Sequence, residues 1–253
     1  SRRQRQMCIR DSLVIDIGNS SVKLHLFEND EKIISETLNE NTLISTLSSL
    51  SIKYSIQNVI ISSVTSNYKI ELSKIFRNSN LYDLSDDKIK LPFINTYKNS
   101  GSLGQDRVAL ISSAVSNYQN QNNLVIDLGT CITYDFIDLN GTYLGGAISP
   151  GITTRYKSLN QNTSNLPLLE YENIEKILGL TTNESIQIGV YNGIIGEINH
   201  YISTLKKSYS EFNIIITGGD SIFLLNKIKN AIFADPDFLA TGLNYIIKLN
   251  EGD

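Results

Sequence analysis

Apolar and polar positions alternate in two places along the chain in almost the same way. Residues 13–19 read LVIDIGN and residues 124–130 read LVIDLGT. Each run ends in an aspartate, Asp16 or Asp127, with a glycine two positions later. Alternating segments follow at residues 22–27 and 132–136. Apolar run, turn residues and alternating run together predict a β-hairpin with an acidic residue at its tip. The glycines allow close approach of the backbone to a ligand. One such hairpin is a weak signal. Two at comparable places in two halves predict a duplicated domain with a shared cleft.

The remaining pattern fits that plan. In the first half, Asn29-Asp30 is a turn signal and residues 32–37 can supply a third strand. Apolar residues at 43, 44, 47 and 50 have helical period, residues 58–64 (NVIISSV) read as a buried strand, and residues 68–76 as a short helix. Strands alternating with helices imply a mixed sheet covered on its faces. Residues 91–106 are irregular, and a helix follows. Asp106 and Arg107 therefore sit near a helix N-terminus, where an aspartate can be a cap and an arginine a solvated charge. In the second half the hairpin is followed by the turn dipeptide Asn140-Gly141 and a strand over 142–144. A glycine-rich stretch, GGAISPG at 145–151, leads into a helix over 152–159. A loop and a long helix over 179–207, spotted by Gly189, Gly193 and Gly196, admit close packing of a helix or ligand. A strand at 213–217 ends in Gly218-Gly219-Asp220, and a strand at 231–234 and a helix at 237–249 finish the chain. This divides the chain into a leader (1–11), an N-terminal domain (12–104) and a C-terminal domain (105–253).

Composition narrows the chemistry. The 253 residues suffice for one large domain or two ordinary ones. An apolar fraction of 41% with 19% charged residues is that of a globular protein. A net charge of −4 argues against nucleic acid as the main partner, and no apolar stretch reaches the length of a membrane span. Two cysteines, Cys8 and Cys131, and two histidines, His25 and His200, leave no material for a disulfide framework or a zinc site. Cytoplasm is the expected location. Residues 1–10 (SRRQRQMCIR) carry four arginines, unlike the lysine-rich remainder, and read as a disordered or non-native leader.

DxG alone and GGD alone are ordinary turns. Their order carries the information: DxG(N/T) opens each half, GGxIxPG follows the second hairpin, and TGGD ends a late strand. Acidic hairpins can hold Mg²⁺ through water while their N–H groups receive phosphates, and a Gly-Gly turn can admit an adenine. Neither a Walker A loop nor a GxGxxG fingerprint is present. With these residues in view, the chain resembles the type III pantothenate kinases, relatives of acetate kinase, the sugar kinases and actin. The resemblance runs from about residue 13 to 247. It rests on the DIGNSSVK run (16–23), Tyr97 nine positions before Asp106, GQDR (104–107), DLGT (127–130), GGAISPG, Thr182 seven before Gly189, and TGGD (217–220). Ser20, Cys131 and Ser100 depart from the commoner threonine, alanine and proline.

The resemblance implies an α/β fold of two related actin/ribonuclease-H-like domains, with mixed sheets, flanking helices and a cleft between them. It implies ATP-dependent phosphorylation of pantothenate to 4′-phosphopantothenate, the first step toward coenzyme A. Asp16, Ile17, Gly18, Asn19, Ser20, Ser21, Val22 and Lys23 would line the ATP phosphates, and Thr130 would also contact the nucleotide. Asp127 would bind a monovalent cation, K⁺ or NH₄⁺, with Mg²⁺ accompanying ATP. Tyr97, Gly104, Gln105, Asp106, Arg107 and Thr182 would hold pantothenate, with Asp106 as proton acceptor. A homodimer is implied, without nucleic acid or membrane. The alternatives are a kinase of another small hydroxyl-bearing metabolite and a non-catalytic accessory or regulatory protein of the same fold.

Overall fold

The structure is a computed structural model that describes residues 11–18, 21–63, 68–173, 175–224 and 227–251. Residues 1–10 of the expected leader, and Asn19 and Ser20 of the first hairpin, lie outside the described residues. Asp11, assigned to the leader, is instead the first residue of a strand and 5% exposed.

The chain forms two compact units: residues 1–117 with 237–253, and residues 118–236. In the first, strands β1 (Asp11–Ile17), β2 (Val22–Glu28), β3 (Glu31–Leu38), β4 (Ile56–Ser63) and β5 (Asn80–Asp83) lie in the order β3-β2-β1-β4-β5. β1 and β2 form the expected antiparallel hairpin, β3 continues it, and β4 and β5 are added in parallel. The turn into β3 holds Asn29 and Asp30 at positive φ, which these two residue types tolerate.

Period-two alternation assigns the faces. Leu13, Ile15, Ile17, Leu24, Leu26, Val59 and Ile61 pack with Leu43, Leu47 and Leu50 of α1 (Leu43–Lys53) and Leu72 of α2 (Lys69–Ile75). Each such buried leucine contributes about 1.5–3 kcal/mol. The other face carries Ser12, Val14 and Asp16. It is covered by α3 (Gln105–Asn117) and α6 (Phe238–Asn250), after the short strand β6 (Ile94–Asn95) in the otherwise irregular stretch. α6 is fastened there by polar pairs, the Ser12 hydroxyl with the Asn244 side chain and Asn58 Nδ2 with Glu251 Oε1 at 2.8 Å. The division therefore falls after residue 117 rather than 104, and α6 belongs to the first unit. Helix periodicity identifies α6 but carries no information about which sheet it returns to.

The second unit repeats the topology. β7 (Asn123–Leu128), β8 (Cys131–Ile137), β9 (Thr142–Pro150), β10 (Asn213–Thr217) and β11 (Ala231–Phe233) run β9-β8-β7-β10-β11, again an antiparallel meander with two parallel additions. Its core joins Leu124, Ile126, Ile132 and Tyr134 to Ile152 and Tyr156 of α4 (Ile152–Gln161), and to Ile194, Ile198 and other residues of α5 (Thr182–Leu205).

Three details differ from expectation. The GGAISP stretch is the second part of β9, paired with β8, because glycine weakens a strand without preventing its ladder. β5 is unforeseen, its four residues being too few to show alternation. Gly189 and Gly196 meet no atom of the described residues within 4 Å where a Cβ would stand, so no helix of the chain packs closely on them, and Gly189 lines an open groove.

Candidate active site

The site in the first unit is built on one row of side chains across three strands. Asp16, the penultimate residue of β1, pairs with Lys23 on β2 and with Ser62 on β4. Residues directly opposite share a face, so amine, carboxylate and hydroxyl stand side by side. Above them the hairpin closes through Gly18, whose N–H donates to the Ser21 carbonyl at 3.1 Å. Lys23 is exposed, Asp16 half-buried and Ser62 buried.

Burial pushes the Asp16 carboxyl up to about 6; Lys23 and a hydrogen bond from Ser62 pull it down, and the nearby Asp106 carboxylate pushes it up again. The Asp106 effect brings the third piece of the site to this row. Asp106 lies in the first turn of α3, where its Oδ1 accepts the Arg107 N–H at 2.8 Å. Gly104 makes room for it: a Cβ there would stand 2.5 Å from that oxygen. Arg107 is only 5% exposed, which excludes a solvated surface charge, and its guanidinium lies 6.0 Å from the centroid of the Tyr97 ring. Gln105 Oε1 accepts the Ser63 N–H at 2.8 Å, joining the start of α3 to the end of β4. Of the residues implied for this unit, Asp16, Lys23, Tyr97, Gly104, Gln105, Asp106 and Arg107 thus form one neighbourhood.

The second unit holds the matching row. Asp127, penultimate in β7, pairs with Thr133 on β8 and Thr217 on β10. Both aspartates are therefore strand residues just below the turn rather than tip residues. Gly129 closes this hairpin through the Cys131 carbonyl at 3.0 Å, and Thr130 is exposed beside it. The Thr130 carbonyl accepts both the Gly151 N–H at 3.0 Å and the Thr154 hydroxyl at 2.6 Å. Only glycine fits at 151, since a Cβ would overlap the Gly129 carbonyl oxygen. Gly218 has φ +93° and presses on Leu128 and the Asp127 carboxylate, so TGGD supports the acidic hairpin directly.

Thr182 opens α5 one residue after the N-cap. Thr181 caps the helix by accepting the Glu184 N–H, leaving Thr182 exposed on a groove of about 980 Å³ lined by Pro150, Thr154, Arg155, Ile186 and Val190. Arg155 is held there by Glu197 at 2.6 Å and by the Pro150 carbonyl at 2.8 Å.

Ser62 was not foreseen. Its only signal is a hydroxyl pair closing an apolar strand, NVIISS, and the parallel is Thr217 at the end of NIIIT.

Among the described residues no cluster of three His, Cys, Asp or Glu side chains could hold a metal by itself. A magnesium ion carried by nucleotide phosphates keeps several waters and needs only one or two protein carboxylates. Asp16 fits that demand.

The chain is similar to known proteins in sequence and in fold. The profile of the type III pantothenate kinase family fits residues 12–204. The type III pantothenate kinase of Christiangramia forsetii is 40% identical over 241 residues, covering 95% of this chain and 99% of its own. A Campylobacter jejuni structure described as a Baf family transcriptional activator is 25% identical, with a TM-score of 0.59 over 94% of this chain and 98% of its own. The ParM protein of pSK41, 13% identical with a TM-score of 0.50 over 95% and 97% of the two chains, shares the actin-like fold alone. The chain belongs to the type III pantothenate kinase family.

Proposed function

We propose that the chain catalyses ATP-dependent phosphorylation of pantothenate to 4′-phosphopantothenate, the entry step of coenzyme A synthesis, in the cytoplasm. The observation that carries this reading is the gathering of Asp16, Lys23, Asp106 and Arg107 in one unit of a family member.

Phosphoryl transfer asks a protein for positioning and charge neutralisation more than for covalent chemistry. Residues 16–23 receive the phosphates through the hairpin N–H groups and the Lys23 ammonium, with Thr130 as a further nucleotide contact. Asp16 is the residue that would hold a hydrated magnesium ion, which would supply charge neutralisation at the phosphate oxygens. Arg107, whose guanidinium lies 6.0 Å from the Tyr97 ring centroid, addresses the carboxylate or a hydroxyl of pantothenate, together with Gly104, Gln105 and Thr182. The primary hydroxyl of pantothenate attacks the γ-phosphorus, the bond to the β–γ bridging oxygen breaks, and ADP leaves. The hydroxyl proton passes to the Asp106 carboxylate.

The monovalent cation is assigned to Asp127. One feature of the second unit supports an oxygen-rich cation site: the Thr133 Oγ1, cross-strand from Asp127, is buried without a hydrogen-bond partner among the described residues. The active species is a two-fold dimer in which Thr182 of one chain serves the Tyr97–Asp106 pocket of its partner. Exposed Leu180, which lines the α5 groove, supplies apolar surface for such contact.

The description of the Campylobacter relative as a transcriptional activator favours one other reading, a regulatory protein of this fold. An assay of ADP and phosphopantothenate formation from ATP, Mg²⁺ and pantothenate, with K⁺ and with Na⁺, separates the two. Product formation supports the kinase; ATP binding without turnover on any small alcohol supports the regulator.

A further inference from the structure

We propose that Arg155 is a specificity-determining residue, which receives the carboxylate of pantothenate in the α5 groove. The proposal rests on the kinase reading, and it leaves Arg107 to the hydroxyl end of the substrate beside Asp106.

Three observations carry it. First, the groove has the composition of a site for an amphiphilic anion. Its volume of about 980 Å³ falls within the roughly 300–1,000 Å³ of small-molecule sites. Leu159, Leu166, Ile186 and Val190 give it apolar walls, Thr182 an exposed hydroxyl, and Arg155 is the one charged side chain among the described residues that line it. Second, Arg155 has donors to spare. A guanidinium carries five N–H groups in a fixed fork. Nε donates to the Pro150 carbonyl at 2.8 Å, and Nη2 donates to Glu197 Oε2 at 2.6 Å and to Ser149 Oγ at 3.3 Å. The two Nη1 N–H groups have no hydrogen-bond partner among the described residues. Third, Gly193 keeps them uncovered. A Cβ at that position would stand 3.6 Å from Nη1, so a longer side chain there would lie against it. Gly189, four residues earlier and therefore on the same helix face, lines the groove itself.

The network behind Arg155 fits it for this task. Glu197 also accepts the Tyr134 hydroxyl at 2.7 Å and the Ser149 hydroxyl, so its charge is shared among three donors. The guanidinium is thereby held on two sides and need not be ordered when a ligand arrives, which favours binding. A carboxylate at Nη1 forms charge-assisted hydrogen bonds, which are shorter and stronger than neutral ones. Pantothenate offers one carboxylate at the end of a branched apolar body, and Thr182 of the same groove belongs to its site in the kinase reading. The carboxylate is remote from the reacting hydroxyl. Its anchor therefore binds ground state and transition state alike, and its loss falls on KM rather than on kcat.

The test is steady-state kinetics of the wild type, Arg155→Met, Gly193→Asp and Gly193→Ala with pantothenate and with its primary amide, which has the same body and no charge. We expect the wild type to favour pantothenate in kcat/KM by about ten- to hundredfold, the range of one charge-assisted hydrogen bond. Arg155→Met raises KM for pantothenate by that factor, with kcat and the KM values for ATP and the amide unchanged, so the preference disappears. Gly193→Asp sets a carboxylate beside Nη1 and gives the same loss with the arginine intact, whereas Gly193→Ala behaves as wild type. Should Arg155→Met fold poorly, Gly193→Asp decides alone. Equal use of both substrates by the wild type, or a preference retained in Arg155→Met or Gly193→Asp, overturns the proposal. Failure of the kinase reading looks different: the wild type then phosphorylates neither substrate, and the proposal falls with it.

Discussion

Asp106 illustrates how one residue serves both structure and chemistry. Its carboxylate accepts the neighbouring N–H at the start of α3, which is what a first-turn aspartate does anywhere, and it stands close enough to Asp16 to raise that group's proton affinity. Asparagine preserves the acceptor oxygen but not the basic site. Asp106→Asn is expected to lower kcat by about 10²–10⁴-fold with melting temperature and ATP binding nearly unchanged; near-normal kcat would leave Asp106 with its helix alone. Asp16 gives a second, thermodynamic prediction. Its folded pKa of about 6 lies above the ordinary aspartate value of 3.8, so between these values the folded chain holds a proton that the unfolded chain has released. Stability from this group is full below about pH 4 and is lost as pH rises through about 6. Asp16→Asn should therefore stabilise the unliganded protein by on the order of 1–3 kcal/mol at pH 7, with no gain below about pH 4, while abolishing turnover. Urea unfolding at pH 4 and pH 7 reads this directly, and an equal effect at both would contradict it. Both aspartates and Arg107 were legible as motif residues. Ser62 was not, because a hydroxyl at the end of an apolar strand has no local pattern until the parallel register puts it beside Asp16.

At the scale of elements, the hairpins were the most legible part, since alternation and glycine each act locally. The strand expected over 142–144 falls short of β9, which runs on through the glycines because cross-strand pairing with β8 overrides their weak strand preference. The contact between α3 and α6 was invisible in the sequence for a different reason: it depends on which surface each helix meets. Its geometry is demanding. A Cβ at Gly242 of α6 would overlap the Ala109 carbonyl oxygen and crowd the Ser113 N–H of α3. Gly242→Ala should destabilise the chain by about 1–3 kcal/mol, as overpacking does, and reduce turnover because α3 carries Asp106. Denaturant midpoints of the pair check this, and an unchanged midpoint would mean that the two helices are less tightly crossed.

The molecule as a whole is a fold used twice, with each sheet presenting one acidic row and the rows differing in chemistry. Lys23 partners Asp16, which suits phosphate; Thr133 partners Asp127, which suits a cation. Asp127→Ala should accordingly lower turnover and weaken activation by K⁺ without unfolding the chain; activity that stays equally K⁺-dependent would place the cation elsewhere. Assembly is the other property of this scale. If Thr182 serves the partner's pocket, mixing an inactive Asp106→Asn chain with an inactive Thr182 variant regains activity through mixed dimers, and a fully active monomer in sedimentation would exclude the arrangement. The duplication was legible because LVIDIGN and LVIDLGT survive in both halves, whereas the return of α6 to the first unit leaves no trace in either motif. The central claim is pantothenate phosphorylation, and ³¹P NMR of the purified chain with ATP, Mg²⁺, K⁺ and pantothenate tests it most directly. The account predicts a phosphomonoester resonance growing in step with ADP and absent with Asp106→Asn; ATP unchanged in the presence of pantothenate would contradict it.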